Sequence, residues 1–409
     1  MICEIVSVGT EVVTGDIIDT NAPFIAKELS AVGVNTVYRS AVCDDMDLMC
    51  EVLEIAKKRA ELIITIGGLG PTYDDITRNA VAKINNKKLY HSDEVEATIK
   101  EYFDRLGRTM MPNNLLQAKI IEDSAVVENP NGTAPGMILE NDGKIFVLLP
   151  DPPNELIPMV QDKIKPYLAA KHEGYIAEKI IKIFGLGESY VESVLYDLMT
   201  QTKNPVIAPY AKLGEVHIKI TAKGYDKQDA LRLLSTYRDK IYSHFEKNIY
   251  GEDEDTLPSK AVELLKKHNK KVAFCESCTA GYIAKTLTDV PGASDVFGFG
   301  AVTYANEAKM TVVGVSSVSL KQYGAVSEEV AIQMAKGIKS ISKADIAISV
   351  TGIAGPGGGT EEKPVGLVYS GFVTNNTSMV SKFNLTGNRE KIRLMTVKNV
   401  MAMIINYLK

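Results

Sequence analysis

The chain is poor in cysteine and histidine and has no long apolar run, and these shortages exclude several classes of protein. Its 409 residues contain five cysteines, an odd and scattered set that fits reduced thiols better than a disulfide framework. No stretch approaches the roughly eighteen uncharged apolar residues of a membrane helix, and no basic region with a following apolar segment opens the sequence. We therefore expect a cytoplasmic protein without a membrane partner.

Clusters of basic residues are also missing. The chain carries 46 Lys and Arg against 51 Asp and Glu, a net charge of −5, and no segment gathers the cations that would neutralise a nucleic-acid backbone. We therefore expect no direct nucleic-acid partner. The length, with 45% hydrophobic residues, exceeds one typical core and predicts two or three domains.

The first third of the sequence alternates between β-prone and helix-periodic segments. The expected elements are strands at 2–10, 34–42 and 61–66, helices at 21–32 and 47–60, and a later hairpin that turns at 141–143. This alternation predicts an α/β domain with a mostly parallel sheet, in which ligands gather at the carboxyl ends of the strands.

Two polar loops at these strand ends contain both glycines and carboxylates. One loop runs from Gly9 to Gly15, and the other contains Gly67, Gly68, Gly70, Thr72, Asp74 and Asp75. Glycine lets backbone N–H groups approach a phosphate, and carboxylates offer the hard oxygen ligands that Mg²⁺ prefers. The second loop thus predicts a site for a metal-bridged diphosphate. The alternative is that each aspartate only caps the helix that follows.

Further along the chain, residues 274–281 read Phe-Cys-Glu-Ser-Cys-Thr-Ala-Gly, between an apolar strand and a helical pattern that we expect to begin near Thr279. Backbone N–H groups at a helix start are unpaired and can stabilise an oxyanion, so Ser277 is a candidate nucleophile. The alternative is an ordinary helix cap. Cys275 and Cys278 could also form a redox pair, whereas a zinc site lacks a second half.

A glycine run follows the strand expected at 345–350. Residues 352–359 contain five glycines, which would let backbone N–H groups approach an anion such as a nucleotide phosphate. The alternative is a tight turn, because the run lacks the Lys-Ser/Thr ending of a P-loop.

The remaining segments complete two more domains. Residues 176–250 predict strand, helix, hairpin and helix, an α+β pattern, and the acidic stretch 251–258 predicts a linker or a helix start. For the last domain the expected elements are strands at 271–275, 299–304, 345–350, 366–374 and 379–385, and helices at 279–289, 327–341 and 389–408.

From about residue 255 onward the chain resembles the C-terminal domain of the CinA competence/damage-inducible proteins, which is similar to nicotinamide-mononucleotide deamidases. The resemblance is carried by segments 274–281, 301–309 and 351–366, with Cys275 and Ala280 replacing a usual Ala and Gly. It implies an α/β serine amidohydrolase that needs no cofactor and forms nicotinate mononucleotide and ammonia. The implied catalytic residues are Ser277, Tyr304 and Lys309, and the implied substrate-binding residues are Thr279, Gly352, Ile353, Ala354 and Gly355.

Residues 1–170 resemble the N-terminal domain of the same family, a three-layer α/β domain similar to molybdopterin-binding MoaB/MogA enzymes. Segments 9–11, 67–75 and 132–136 carry the resemblance, which implies a metal-dependent pyrophosphatase acting on ADP-ribose. The implied metal ligands are Glu11, Asp44, Asp74 and Asp75, and the implied substrate-binding residues are Gly67, Gly68, Gly70, Thr72, Gly132 and Thr133. Asp151 departs from the pattern, because the family has a glycine that could supply a positive φ or a close phosphate approach there.

The middle segment resembles the small KH-like linking domain of the same family. Gly185-Leu-Gly187 is not the G-x-x-G clamp of nucleic-acid-binding KH domains, which favours a structural role. We expect domains at 1–170, 171–250 and 251–409, and the family implies a homodimer. Two alternatives stay open: a pterin-binding N-terminal module, and a non-catalytic partner in competence or recombination.

Overall fold

A computed structural model describes residues 1–171 and 174–409. The described residues form two compact units, 1–177 with 222–233, and 178–221 with 234–409. The expected domain boundary at residue 170 adjoins His172 and Glu173, which lie outside the described residues. None of the helices in the described ranges has the length and apolar character that crossing a membrane requires.

The N-terminal part consists of eight strands and seven α-helices within the described ranges. The strands are β1 (Ile2–Val8), β2 (Asn35–Val42), β3 (Leu62–Ile66), β4 (Leu89–His91), β5 (Lys119–Ile121), β6 (Ser124–Val127), β7 (Gly136–Asn141) and β8 (Lys144–Leu149). The helices are α1 (Thr10–Thr14), α2 (Asn21–Ser30), α3 (Met46–Arg59), α4 (Thr77–Ile84), α5 (Asp93–Arg105), α6 (Pro153–Met159) and α7 (Lys165–Ala170), with a 3₁₀ helix at Pro112–Ala118.

Six of these strands form a mixed sheet in the order β2-β1-β3-β8-β7-β6. The pairs β1·β2, β1·β3 and β3·β8 are parallel, and β7 is antiparallel to both its neighbours. Ile5 and Val6, neighbours on β1, belong to two different apolar clusters, so both faces of the sheet are covered, as parallel sheets require. The predicted alternation and the hairpin at 141–143 are confirmed, whereas the expected loop at 9–15 contains the short helix α1.

The middle part is α+β, as predicted. Its elements are β9 (Tyr175–Phe184), α8 (Glu188–Thr200), β10 (Val206–Lys212), β11 (Glu215–Gly224), α9 (Lys227–Phe245) and β12 (Ile249–Glu252), with the sheet order β10-β11-β9-β12. Strand β12 was not predicted, because an acidic run follows it directly. That run closes a turn: the Glu252 amide donates to Asp255 Oδ2 at 2.9 Å, and the Asp253 amide donates to the carbonyl of Ile180.

The C-terminal part is again α/β. Its strands are β13 (Val272–Glu276), β14 (Phe297–Val302), β15 (Ile346–Gly352), β16 (Leu367–Val373) and β17 (Ser378–Asn384). Its helices are α10 (Leu257–Lys267), α11 (Tyr282–Thr288), α12 (Asn306–Val313), α13 (Ser317–Tyr323), α14 (Glu328–Ser342) and α15 (Arg389–Leu408).

Its sheet has the order β14-β13-β15-β16-β17. The strands β14, β13 and β15 are parallel, whereas β16 and β17 are antiparallel to their neighbours. The carboxyl ends of the three parallel strands therefore meet at one edge, where α/β proteins bind ligands. The sequence analysis missed α12 and α13, and both lie in the stretch that leads away from this edge.

Candidate active sites

Ser277 lies at the carboxyl end of β13 and is 8% exposed. Its backbone N–H donates to the carbonyl of Val350 on the adjacent strand, at 3.0 Å. The following helix α11 begins at Tyr282 rather than near Thr279, because Ala280 (φ 50°) and Gly281 (φ 88°) turn left-handed first. The expectation that a helix begins near Thr279, directly after Ser277, is therefore wrong.

Two other amides are available beside the serine. Within the described residues, the backbone N–H groups of Cys278 and Thr279 donate to no other residue. An oxyanion formed next to Ser277 could therefore be stabilised by amides of the turn, although not by the amide of Ser277 itself.

Lys309 approaches the serine from α12. Its Nζ lies 3.1 Å from Ser277 Oγ, 2.8 Å from the carbonyl oxygen of Thr303 and 3.0 Å from that of Tyr304. The side chain is only 1% exposed. This burial lowers the pKa of Lys309 below the ordinary lysine value, although the nearby thiols of Cys275 and Cys278 oppose the shift.

The three contacts of Nζ fit a neutral amine as a base. A neutral amine can donate its two N–H groups to the carbonyls of Thr303 and Tyr304 and accept from the Ser277 hydroxyl with its lone pair. These contacts hold Nζ within the hydrogen-bond distance of the serine hydroxyl that proton removal needs.

Tyr304 and Arg389 also line the site and contact each other. Tyr304 is 57% exposed, and its hydroxyl accepts a hydrogen bond from Arg389 Nη2 at 3.2 Å. Arg389 Nη1 donates to the carbonyl of Gly355 at 2.9 Å. The sequence analysis missed Arg389. A signal was present, because a cation in the first turn of a long helix opposes the usual preference for acidic residues there.

A cavity of ≈ 280 Å³ joins these groups. Its lining includes Ser277, Cys278, Tyr304, Asn306, Lys309, Thr351, Gly352, Ile353, Ala354, Gly355, Gly357, Gly358 and Arg389. The three predicted catalytic residues and four of the five predicted substrate-binding residues therefore share one cavity. The exception is Thr279, which is fully buried and lies outside the lining.

The two cysteines of the C-x-x-C segment do not form a pair. Cys275 packs in an apolar cluster with Ala273, whereas Cys278 packs with Phe274 in the cluster on the opposite face of β13. Burial raises the pKa of Cys275 to about 11 and that of Cys278 to about 12. Protonated thiols on opposite faces suit neither a redox pair nor a zinc half-site.

The glycine loop after β3 is fixed by close packing. Gly67 (φ 95°) and Gly68 (φ 67°) are left-handed, and a Cβ at Gly68 would lie 2.1 Å from Thr77 Oγ1. Asp75 closes the loop, because its carboxylate accepts from the amides of Gly70 and Thr72, each at 2.7 Å. Asp75 therefore closes this loop, and the alternative that it caps the following helix is wrong, because α4 has no side-chain cap.

The other predicted carboxylates also make local contacts. Asp74 Oδ1 accepts from the hydroxyl of Thr72, and Asp44 Oδ2 accepts from the amide and the hydroxyl of Thr10, both at 2.9 Å. Glu11 lies in the first turn of α1. The structure therefore ties Asp44 and Asp74 to neighbouring backbone and hydroxyl groups.

Beside this loop is a cavity of ≈ 230 Å³. Its lining includes Gly67, Gly68, Leu69, Gly70, Asp75, Gln117, Thr133, Ala134, Asp151 and Glu155. Glu11, Asp44, Thr72 and Asp74 are not part of it, and Gly132 lines a neighbouring cavity of ≈ 160 Å³ that shares Thr133. The sequence analysis missed Gln117 and Glu155, which come from segments distant in sequence.

Asp151 fits its position without backbone strain. It is not among the described residues with a positive φ, and its Oδ1 accepts from Asn21 Nδ2 at 3.2 Å. The concern that this position needs glycine for a positive φ was therefore wrong. Burial raises the pKa of Asp151, and also that of Glu155, whose carboxylate accepts from Asn129 at 2.6 Å.

No three of the expected metal ligands Glu11, Asp44, Asp74 and Asp75 have their ligand atoms within 4.8 Å of one another. Among the described residues, the only group of three potential ligand atoms within 4.8 Å of one another belongs to His91, Asp93 and Glu96, at the surface around the start of α5. Carboxylates at the N-terminal cavity still suit Mg²⁺, because this ion is commonly bound by one or two carboxylates together with substrate phosphates.

Comparison with known proteins divides the chain into three matching segments. Residues 4–170 match the family model described as "Probable molybdopterin binding domain". Residues 178–251 match "Damage-inducible protein CinA KH domain", and residues 254–408 match "CinA C-terminal domain". These three segments correspond to the N-terminal α/β part, the middle α+β part and the C-terminal α/β part of the fold.

Two relatives match this chain over nearly its whole length. A competence-damage inducible protein of Thermoanaerobacter pseudethanolicus is 44% identical over 405 residues, covering 99% of this chain and 98% of the relative. One from Acetivibrio thermocellus is 44% identical over 407 residues, covering 100% and 98%. A crystal structure of the competence/damage inducible protein CihA from Agrobacterium tumefaciens is 41% identical, covers 36% of this chain and 92% of its own, and has a TM-score of 0.36. The chain therefore belongs to the CinA family of competence-damage inducible proteins, and its N-terminal domain is of the molybdopterin-binding type.

Proposed function

We propose that the C-terminal site hydrolyses the carboxamide of nicotinamide mononucleotide to nicotinate mononucleotide and ammonia. One observation carries the proposal: the buried amine of Lys309 lies 3.1 Å from Ser277 Oγ, at the edge of a cavity. A serine hydroxyl is a weak nucleophile until an adjacent base takes its proton. A lysine whose pKa is lowered by burial can act as that base.

The reaction would proceed in two steps. Ser277 Oγ attacks the carboxamide carbon while neutral Lys309 takes the hydroxyl proton, and the amide of Cys278, which lines the cavity, would stabilise the oxyanion. The C–N bond then breaks, the ammonium of Lys309 returns the proton to the leaving nitrogen, and ammonia departs from an ester on Ser277. Water, deprotonated by Lys309, then attacks the ester carbon, the bond to Ser277 Oγ breaks, and the ammonium of Lys309 returns the proton to Ser277 Oγ as the carboxylic acid leaves. No cofactor is needed.

The part of the cavity that is lined by Arg389 and the glycine-rich loop would bind the phosphate. Arg389 supplies a guanidinium, and the loop at 352–358 supplies backbone N–H groups that glycine leaves accessible. Tyr304, which accepts from Arg389, would then lie between phosphate and carboxamide and orient the substrate. Lys363, which follows the same loop, donates to the carbonyls of Tyr323 and Val326.

The test is ammonia release by the full chain. Wild type should release ammonia and nicotinate mononucleotide in equal amounts from nicotinamide mononucleotide, and Ser277→Ala should lose the activity to within background. Ser316→Ala is the matched control, because Ser316 is a helix cap outside the cavity. Release at the wild-type rate by Ser277→Ala would remove the serine from the mechanism.

For the N-terminal cavity we propose hydrolysis of ADP-ribose to AMP and ribose 5-phosphate. Glycine backbone at Gly67, Gly68 and Gly70 suits a diphosphate, and Asp75, Asp151 and Glu155 are the carboxylates that would hold a divalent cation such as Mg²⁺. Such a cation would neutralise the diphosphate and polarise it toward attack by water.

Pterin binding is the second candidate for this domain, favoured by the match to the molybdopterin binding family model. AMP formation from ADP-ribose that needs a divalent cation would support the pyrophosphatase. Pterin retained through purification, with no AMP formed, would support the alternative. The homodimer, the cytoplasmic location and the absence of a nucleic-acid partner stay predictions.

A further inference from the structure

The carboxylate before the candidate nucleophile is buried and makes both its hydrogen bonds to main-chain amides. Glu276 is the last residue of β13 and is 2% exposed. Its oxygens accept from the backbone N–H of Ile283 at 3.1 Å and of Ala284 at 2.9 Å. Burying a carboxylate is costly unless hydrogen bonds compensate it, so this contact has a purpose beyond filling space.

The number of residues between Glu276 and the amides that donate to it distinguishes this contact from an ordinary helix cap. A serine or aspartate cap accepts from amides two or three residues ahead, whereas Glu276 accepts from amides seven and eight residues ahead. The carboxylate therefore closes the turn at 277–282, and Ser277 is the first residue inside that closed turn. Ala280 and Gly281 are left-handed within it, a conformation that non-glycine residues adopt at some cost and that surrounding contacts must hold.

A second contact fixes the same turn from α15. Arg393 Nη2 donates to the carbonyl of Thr279 at 2.7 Å, and its guanidinium lies 5.6 Å from the ring centroid of Tyr282. Arg393 Nε and Thr279 Oγ1 are buried without a hydrogen-bond partner within the described residues. Leaving such atoms unpaired destabilises the fold, and uncompensated strain of this kind is typical of functional sites.

The backbone of Glu276 also connects the turn to the base. Its carbonyl accepts from the amide of Thr303 at 2.8 Å, and the carbonyl of Thr303 accepts from Lys309 Nζ at 2.8 Å. A shift of residue 276 would therefore move Ser277 relative to an amine that Thr303 holds in place.

We infer that Glu276 and Arg393 are positioning residues, which hold the 277–282 turn so that Ser277 Oγ stays within hydrogen-bond reach of Lys309 Nζ. The inference rests on the proposed role of Ser277 as nucleophile and adds the groups that set its geometry. Neither side chain lines the cavity, so their removal should alter the rate of the chemical step rather than the affinity for substrate.

The test compares Glu276→Gln and Arg393→Lys with wild type in the full chain. Glutamine has the same shape but only one acceptor oxygen, so one of the two amides loses its partner. Three quantities are measured: the rate at which a fluorophosphonate probe labels Ser277, kcat and KM for nicotinamide mononucleotide, and amide hydrogen exchange at 277–284. Asp345→Asn is the matched control, because Asp345 accepts a backbone amide, that of Lys271, at the other end of β13.

We expect labelling and kcat to fall by about tenfold or more in Glu276→Gln, with KM within about twofold, since small misplacements of reacting groups carry large rate penalties. Exchange at 277–284 should become faster, and the control should label at the wild-type rate. Rescue by Glu276→Asp is not expected, because the shorter side chain cannot span the turn.

The other outcomes either overturn the inference or show that only the proposed substrate is wrong. Labelling and kcat at wild-type values in both variants, or a raised KM with unchanged kcat, contradicts positioning. If wild type labels at Ser277 but releases no ammonia, the proposed substrate is wrong, and the labelling rates of the variants still decide the inference. If wild-type Ser277 does not label, the inference falls with the nucleophile. Should Glu276→Gln fail to fold, Arg393→Lys carries the test.

Discussion

Replacing Lys309 by methionine removes the proposed base and keeps most of the side-chain volume. Methionine cannot accept a proton, and it cannot donate to the carbonyls of Thr303 and Tyr304 that Nζ now contacts. The variant therefore separates the chemistry of the amine from the packing of α12.

The expected loss follows from the role of the amine. A positioned general base contributes about 10²- to 10⁴-fold, so kcat should fall by that factor, or about 2.7–5.4 kcal/mol of transition-state stabilisation. Each of the two carbonyls loses a buried donor, which costs about 1–3 kcal/mol of unfolding free energy per carbonyl. Part of this cost is offset because methionine, unlike the amine, is not destabilised by burial. The fold should therefore survive.

The pH dependence of the wild type gives an independent check. Only the neutral amine accepts the serine proton, and burial lowers the pKa of Lys309. Activity should therefore rise with pH through an apparent pKa below the ordinary lysine value, and the rise should be absent from the residual activity of Lys309→Met. The same shift makes the folded state bind fewer protons than the unfolded state, so this group contributes stability that grows as pH rises toward the ordinary lysine pKa.

The assay is ammonia release from nicotinamide mononucleotide between pH 6 and pH 10, with Lys285→Met as control. Lys285 is in the same domain, but its side chain is 66% exposed and pairs with Asp289. A Lys309→Met protein that folds and keeps kcat within about threefold of wild type would refute the reasoning, because general-base loss cannot be that small.

Three further predictions concern other contacts. Arg389→Ala should raise KM for nicotinamide mononucleotide by about tenfold or more, because a hydrogen bond from a charged group contributes about 1.5–3 kcal/mol. Steady-state kinetics measure the change, and an unchanged KM would contradict phosphate binding by Arg389. Glu4→Gln should destabilise β1 by about 1–3 kcal/mol. The carboxylate of Glu4 is fully buried and its Oε1 lies 2.6 Å from Arg59 Nη2, whereas the side chain of Arg59 is 36% exposed. Hydrogen exchange in β1 measures this loss, and unchanged protection of the β1 amides would contradict it. Asp151→Gly should weaken binding of Mn²⁺ to the N-terminal cavity, measured by calorimetry, and equal affinity would show that Asp151 is no ligand.

The sequence predicted the sheets well because their strands alternate with helices over an apolar pattern. The parallel pairs around β1, β3 and β13 place the predicted loops at strand ends, where Ser277 and Gly67 are found. These features depend on local composition and on chain order, which the sequence contains directly.

The helix that carries the base was missed for a physical reason. The buried residues of α12 are Lys309 and Val313, four positions apart on one face. A search for apolar periodicity treats a lysine as a surface residue, so a helix that buries a lysine for chemistry has no visible apolar stripe. The resemblance to a family supplied the residue, and the structure supplied its contacts.

Groups brought together from distant segments were also beyond sequence reasoning. Arg389 reaches Tyr304 across 85 residues, and Gln117 and Glu155 join Gly67 around one cavity. Local turn chemistry adds contacts that the sequence did not predict, because Asp44 and Asp74 each accept from a nearby threonine. Their residue types fit both a turn and a metal site, and their role as metal ligands stays a prediction.

The most direct test of the central claim is mass spectrometry of the protein quenched during turnover of nicotinamide mononucleotide. The account predicts an ester intermediate on the peptide that contains Ser277, absent from Ser277→Ala. Ammonia release with no adduct at any quench time, or with an adduct on a different residue, would contradict it.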